Sequence, residues 1–95
     1  MTDHHVVPAR WTVEAVHELL REVVGRVLEI DRDVVTLDAS FADDLGADSL
    51  ALVEIAELVE ERLARGPNAG FTIEDDELAG LRTVGQAVRL IVEQL

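Results

Sequence analysis

The sequence predicts an all-α fold: a compact four-helix bundle of three longer helices and one short helix, with a long first connection. Apolar residues recur at helical spacing in three separate segments, and capping residues stand at the starts of those segments. The 95-residue chain is 48% hydrophobic but only 3% aromatic, so its core must consist of Val, Leu, Ile and Ala. That composition is typical of a single small helical bundle.

The first predicted helix follows Thr12, which is a suitable N-terminal cap. Its apolar residues are spaced three and four positions apart, which indicates one buried face, and His17 is expected on its polar side. The preceding residues 1–10 show no such period, so we expect a flexible N-terminal arm before one domain over residues 11–95. The apolar stripe of the helix is Val13, Val16, Leu20, Val23, Val27 and Ile30.

A long connection of mixed polar and apolar residues covers residues 31–46. Several apolar side chains can anchor it on the core, so we do not expect a flexible linker. Ser40 and Asp43 have the spacing of a capping box, with Asp in place of the usual Glu or Gln, which indicates a short helical turn. The expected anchors are Val34, Val35, Leu37, Phe41 and Leu45.

Three more helices are predicted after this connection. The second extends from about Ser49 to Ala64 and ends at the turn cluster Arg65–Gly70. A short third helix starts at Thr72 and ends near Leu78, and Thr83 and Gln86 match a capping box for the fourth. The expected buried positions are Leu52, Ile55, Ala56, Val59 and Leu63 in the second helix, and Val84, Ala87 or Val88, Ile91 and Leu95 in the fourth.

The charge balance excludes several kinds of partner. Twenty acidic residues against eight basic ones give a net charge of −12 at pH 7, which repels nucleic acid and anionic membranes and attracts proteins with basic patches. The chain has no cysteine, no apolar run long enough to span a membrane and no signal-peptide pattern at its start. We therefore expect a cytoplasmic monomer.

Neither a metal site nor an enzyme active site is indicated. The pair His4-His5 has no further ligand nearby in the sequence. If a calcium loop began at Asp31 in the Asp-rich connection, its sixth and twelfth positions would be Thr36 and Ala42, where a glycine and a glutamate are needed. The sequence around Ser49 is similar to the GDSL hydrolase signature, but an inserted alanine breaks the spacing, and no histidine follows to act as a base.

Asp48 and Ser49 stand directly before the apolar run of the second helix, so either residue can be its N-terminal cap. A helix start offers unpaired amides and a partial positive charge, both of which suit a phosphate group.

The segment from Phe41 to Leu50 resembles the prosthetic-group attachment site of the acyl carrier protein family, in which an Asp-Ser-Leu triplet follows a Leu-Gly-Ala turn. The resemblance covers roughly residues 13–95. It implies that Ser49 carries a covalent 4'-phosphopantetheine arm, with Asp48 and Leu50 beside it, and that a phosphopantetheinyl transferase attaches the arm. Acyl groups would then be carried as thioesters, and the chain itself would not be an enzyme.

The resemblance also implies a docking surface and an acyl pocket. The acidic second helix would dock acyl-activating enzymes, acyltransferases or ketosynthases through their basic patches, although Ala51 and Arg62 depart from the acidic pattern. Part of the apolar core would open to shelter an acyl chain. The docking residues are Asp48, Glu54, Glu60 and Glu61, and the pocket residues are Val53, Ala56, Val59 and Ile73.

Two other functions stay open. An aminoacyl or peptidyl carrier of non-ribosomal peptide synthesis is similar, but such carriers usually lack the strong acidity and have a different residue before the serine. A non-carrier helical interaction module could keep the fold, and the intact Ser49 with its flanks argues against it. Among pathways, fatty acid, polyketide and lipopeptide-starter biosynthesis all fit; the all-Arg basicity and the departures favour specialised metabolism.

Overall fold

Within the residues that the structure describes, four helices form the fold: α1 (Val13–Leu28), α2 (Ser49–Leu63), α3 (Asp75–Ala79) and α4 (Val84–Gln94). The structure is a computed structural model that describes residues 11–64 and 70–95, and this part of the chain contains no strand. Its Cα radius of gyration is 12.7 Å, close to the roughly 12–13 Å of a compact chain of this length. The all-α prediction is confirmed. The N-terminal arm over 1–10 and nearly all of the predicted turn cluster lie outside the described residues.

Helix α1 begins where the sequence predicts it and ends two residues early. The Thr12 hydroxyl accepts a hydrogen bond from the Ala15 N–H at 3.1 Å, which confirms the cap. Glu29 then adopts a left-handed conformation with φ of 57° and ends the helix at Leu28. Val13, expected in the core, is 49% exposed because it lies at the very start of the helix.

His17 does not lie on the solvent face of α1. Its side chain is half-buried, and its ring Nε2 lies 2.8 Å from the carbonyl oxygen of Val35. Ion pairs fix the following 3₁₀ turn (Arg32–Val34) to the same helix. Arg21 lies 2.8 Å from Asp33, and Arg32 lies 2.7 Å from Glu18. The start of the long connection is therefore held against α1.

The rest of the connection is held by α4. The N–H of Val84 donates to the Ala39 carbonyl at 3.0 Å, the N–H of Gly85 donates to the Leu37 carbonyl at 2.7 Å, and a third bond joins Phe41 to Arg82. The first two bonds satisfy amides that the start of α4 leaves unpaired, and in the third the Phe41 N–H donates to the Arg82 carbonyl. A Cβ on Gly85 would lie 2.9 Å from the Leu37 carbonyl oxygen, so only glycine permits this close approach.

Three of the five expected anchors are confirmed and two are wrong. Val35, Phe41 and Leu45 are buried, whereas Val34 and Leu37 are 50% and 43% exposed. The backbone of Leu37 holds the connection through its carbonyl, so its side chain is left outside the core.

The predicted helical turn after Ser40 is present as a turn, but its capping pattern is shifted. The Ser40 hydroxyl accepts from the Asp43 N–H at 3.1 Å, as expected. The Ser40 N–H in turn donates to the carboxylate of Asp44, at 2.8 Å, and not to that of Asp43. The shorter Asp side chain reaches back from one position further along, where a Glu would reach back from the third position.

The third helix starts three residues later than predicted. Glu74 and Glu77 form its capping box, and Thr72 and Ile73 precede it as extended chain. The predicted capping box of α4, between Thr83 and Gln86, is confirmed.

The core lies between α1, α2 and α4, and α1 packs against both of the others. The expected burial in α4 is confirmed except at Leu95, which is 36% exposed at the chain end. The fully or nearly fully buried helical side chains of this core are Val16, Leu19, Leu20, Val23 and Val24 of α1, Ile55, Val59 and Leu63 of α2, and Val84, Ala87, Val88 and Ile91 of α4.

Candidate functional site

A glycine, a backbone hydrogen bond and two buried side chains fix the chain that leads into the start of α2. Gly46 has a φ of +71°, a conformation that side chains other than glycine rarely adopt. The next residue, Ala47, is buried, and its N–H donates to the Phe41 carbonyl at 2.7 Å. Leu45, on the other side of the glycine, is also buried. The position of Asp48 is therefore set by the core and not by a loose loop.

Asp48 is the N-terminal cap of α2, which resolves the choice that the sequence left open. Its carboxylate accepts a hydrogen bond from the Ala51 N–H at 2.9 Å, and its carbonyl accepts from Leu52 at 3.0 Å. Ser49 is the first helical residue, and its side chain is exposed. No described residue forms a hydrogen bond with its hydroxyl. Leu50, the next residue, is 70% exposed.

This arrangement fits a phosphodiester on Ser49. The N–H groups of Ser49 and Leu50 donate to no described residue, and they lie at the positive end of the α2 dipole. An anion at that position is favourable, and the exposed hydroxyl can be reached from solvent. One oxygen of the Asp48 carboxylate, Oδ1, is bound to the backbone as the cap of the helix.

A stripe of exposed side chains runs down α2 from the same end. Leu50, Glu54, Glu57 and Glu61 follow one another at spacings of four, three and four residues, so they share one face of the helix. All four are exposed. Glu57 is part of this acidic stripe although it is not among the docking residues implied by the resemblance. Its spacing of three residues from Glu54 and four from Glu61 is the signal in the sequence that could have identified it.

Two charged residues of α2 point away from the acidic stripe. Glu60 is half-buried, and its carboxylate accepts from the Ile73 N–H at 2.7 Å and the Thr72 hydroxyl at 3.1 Å. Arg62 contacts Glu22 of α1 at 2.8 Å. This hydrogen bond lowers the pKa of the Glu22 carboxyl and raises that of the Arg62 guanidinium. Arg62 therefore joins two helices and does not interrupt the acidic stripe.

The four expected pocket residues lie at different depths. Ala56 and Val59 are buried and Ile73 is half-buried; of the three, only Val59 belongs to the main core cluster. Val53 is 41% exposed, so its assignment to the core is wrong.

Within 11–64 and 70–95, no group of three or more His, Asp or Glu side chains is arranged to hold a metal ion. No helix in this part of the chain is long and apolar enough to cross a membrane.

Comparison with known proteins identifies the class first. Residues 18–91 match the family model described as a phosphopantetheine attachment site. The chain is thus a carrier domain that bears covalent 4'-phosphopantetheine, and not a catalyst.

Individual relatives identify the family within this class of carrier domains. The acyl carrier protein of Petrotoga mobilis is 44% identical over 84 residues, covering 88% of this chain and 92% of that protein. That of Rhodococcus erythropolis is 42% identical over 80 residues, covering 84% and 81%. The meromycolate extension acyl carrier protein of Mycolicibacterium smegmatis is also 42% identical over 80 residues, covering 84% and 75%. The chain belongs to the acyl carrier protein family.

Proposed function

We propose that Ser49 is the residue that bears the 4'-phosphopantetheine arm, and that the chain carries acyl groups as thioesters in fatty-acid-type biosynthesis. The observation that carries this proposal is the placement of Ser49: an exposed hydroxyl without a described partner, at the first position of a helix whose cap is another residue. The names of the relatives support the acyl cargo.

In this proposal the attachment chemistry is divided between this chain and its transferase. The chain supplies the Ser49 hydroxyl, held at a fixed helix start, and two backbone amides that favour the new phosphate charge. The hydroxyl oxygen forms the bond to phosphorus, the pyrophosphate linkage of coenzyme A breaks, adenosine 3',5'-bisphosphate leaves with the bonding electron pair, and a base takes the serine proton. One oxygen of the Asp48 carboxylate is bound to the Ala51 amide, and in this proposal the base belongs to the transferase.

The attachment is tested by intact-protein mass after incubation with coenzyme A, Mg²⁺ and a broad-specificity phosphopantetheinyl transferase. We expect one added phosphopantetheinyl group on the natural chain and none on Ser49→Ala. Ser40, the only other serine, is the matched control, because its hydroxyl caps a turn and accepts from Asp43. Ser40→Ala should still be modified. Modification of Ser49→Ala, or loss of modification in Ser40→Ala alone, would contradict the assignment.

We further propose that partner enzymes dock on the acidic stripe of Leu50, Glu54, Glu57 and Glu61, with Asp48 at its upper end. The stripe is exposed and begins beside Ser49, so a basic patch seated on it would bring the partner's active site near the arm. Opposite charges on exposed surfaces speed encounter and lose strength in salt, because the Debye length is about 8 Å in physiological buffer.

Charge reversal tests the docking proposal. We expect Glu54→Lys to lower the rate of transferase or acyltransferase turnover severalfold, and to flatten its dependence on salt. The control is Glu93→Lys, which makes the same change at an exposed position near the end of α4. Equal losses for the two variants would show that total charge matters and that no docking face exists.

The acyl chain itself is proposed to enter between α2 and the segment that leads into α3, against Ala56, Val59 and Ile73, with Val53 at the entrance. Burial of an alkyl chain gains roughly 0.8 kcal/mol per CH₂. NMR shifts of these residues should therefore change together when a medium-length acyl group is loaded. Shifts confined to Ser49 and its neighbours would rule out sheltering. Loading by an amino-acid-adenylating enzyme but by no acyl-transferring enzyme would instead favour the aminoacyl-carrier alternative.

We also propose that the chain works as a monomer in the cytoplasm. A net charge of −12 on a small domain opposes self-association. Light scattering at physiological salt should give the mass of one chain; a concentration-dependent dimer would contradict this.

A further inference from the structure

Glu60 differs from the other glutamates of α2 in what its carboxylate contacts. One oxygen, Oε2, accepts both from the backbone N–H of Ile73 and from the hydroxyl of Thr72. The glutamates of the acidic stripe are exposed, whereas Glu60 is half-buried. A hydrogen bond from a backbone amide to a partly buried carboxylate is charge-assisted and stronger than one between neutral groups.

The segment that Glu60 holds is otherwise weakly attached. Helix α3 has no buried residue among its five. Leu78 of this helix and the preceding Ile73 are half-buried but do not pack against the main core. Phe71 before the helix and Leu81 after it do pack there. The stretch between these two anchors therefore has few buried contacts that would have to break for it to separate from the core.

Ala56 is a buried residue on the face of α2 that carries Glu60. It is only 7% exposed, yet it is not a member of the main core cluster. It stands one turn before Glu60 on the same face of α2, and α2 is in contact with α3. Glu60 joins this face of α2 to Ile73, so Ala56 and Ile73 are referred to together as the small apolar layer between α2 and the α3 segment; neither belongs to the main core cluster.

The residues of this face form a column that starts at the candidate attachment site. Ser49, Val53, Ala56 and Glu60 are spaced four, three and four residues apart along α2. The column is exposed at its first two members, buried at the third and closed at the fourth by the bonds to Thr72 and Ile73.

We propose that Glu60 is a positioning residue that clamps the Thr72–Ile73 segment over Ala56 and sets how often α3 separates from α2. The link to cargo rests on the proposed function: an acyl chain that leaves Ser49 along the column reaches the layer at Ala56 only where this clamp yields. Glu60 therefore acts on the cargo compartment, not on docking of partner enzymes as the resemblance implies.

The clamp is tested on the unmodified chain by amide hydrogen exchange followed by NMR. In Glu60→Ala we expect exchange at Ile73 and Leu78 to rise about tenfold or more, the effect of losing a charge-assisted hydrogen bond. Glu60→Gln keeps an oxygen acceptor without the charge and should give a smaller rise, of about two- to fivefold. Glu57→Ala, at an exposed position of the same helix, is the matched control and should change neither amide.

Two outcomes of the exchange experiment would overturn the clamp. Unchanged exchange at Ile73 in Glu60→Ala would show that the bonds do not hold the segment. An equal rise at Val23 in the middle of α1 would show general destabilisation in place of local opening.

The link to cargo is tested separately, on chains carrying the arm with a medium-length acyl group. In Glu60→Ala, the acyl-dependent NMR shift at Ala56 should grow relative to the natural chain, and in Glu60→Gln it should lie between the two. If exchange at Ile73 responds but the acyl-dependent shift does not, the clamp stands and its role toward cargo is refuted. If transferase turnover falls equally in Glu60→Ala and Glu60→Gln, charge is what matters and Glu60 belongs to the docking surface.

Discussion

Replacing Asp48 separates its role as a helix cap from its negative charge. Asp48→Ala removes the 2.9 Å bond to the Ala51 amide and the charge together. The lost cap costs about 0.5–2 kcal/mol, and the lost interaction with the helix dipole costs a further 0.3–1 kcal/mol or so. Relief of repulsion in a chain of net charge −12 offsets part of this. We therefore expect a net loss of about 1–2 kcal/mol in the free energy of unfolding.

Two companion variants make this prediction sharp. Asp48→Asn keeps a capping oxygen and should cost less than about 0.5 kcal/mol, since Asn and Asp are nearly equal as caps. Ser49→Ala should also cost less than about 0.5 kcal/mol, since Ser49 is an exposed helical position and not the cap.

Urea unfolding followed by far-UV circular dichroism, at one salt concentration and with an unchanged slope, measures all three. If Ser49→Ala costs as much as Asp48→Ala, the serine hydroxyl is the cap and the reasoning about its free hydroxyl fails. If Asp48→Asn costs as much as Asp48→Ala, the charge and not the hydrogen bond stabilises the helix start.

Further predictions concern the joints between helices. Gly85→Ala should destabilise the fold by about 1–2 kcal/mol, because overpacking against a backbone oxygen outweighs the better helix propensity of alanine. Gly80→Ala, whose added Cβ would lie at ordinary contact distances of 3.6 and 3.7 Å, should be neutral or slightly stabilising in the same unfolding assay. The pKa of Glu22 is lowered in the folded state by its bond to Arg62, so this pair stabilises the fold above the ordinary carboxyl pKa and loses that effect as pH falls through the folded value. Glu22→Gln should therefore cost up to about 1 kcal/mol at pH 7, and the difference should shrink in unfolding curves taken at progressively acid pH; a constant difference would contradict the ion pair.

Periodicity and capping residues were sufficient to predict the long helices. Thr12 and Thr83 are caps that act within one turn, so local sequence determines them. The apolar stripes of α1 and α4 identify most of the core for the same reason. In these two stripes the wrong predictions are at the helix ends. Val13 and Leu95 keep the helical period, but both are exposed.

What the sequence could not give were contacts between segments far apart in the chain. Glu60 is a glutamate on the same helix as its acidic neighbours. Only the hydrogen bonds that Thr72 and Ile73 donate to its carboxylate set it apart. Leu37 looked like a core anchor because it is apolar. Its carbonyl is what holds the connection, through the amide of Gly85, and no side-chain pattern reports that bond.

The bonds between the long connection and the start of α4 also impose an order of assembly. The turn that leads to Ser49 is held by Arg82, Val84 and Gly85, which lie far later in the chain. A growing polypeptide that has just emerged past Ser49 can form the local bonds of this turn, such as that from the Ala47 amide to the Phe41 carbonyl, but lacks the three bonds to Arg82, Val84 and Gly85. The setting of the serine is completed only when the start of α4 is available, so a transferase that requires the complete setting would act on chains synthesised past Gly85.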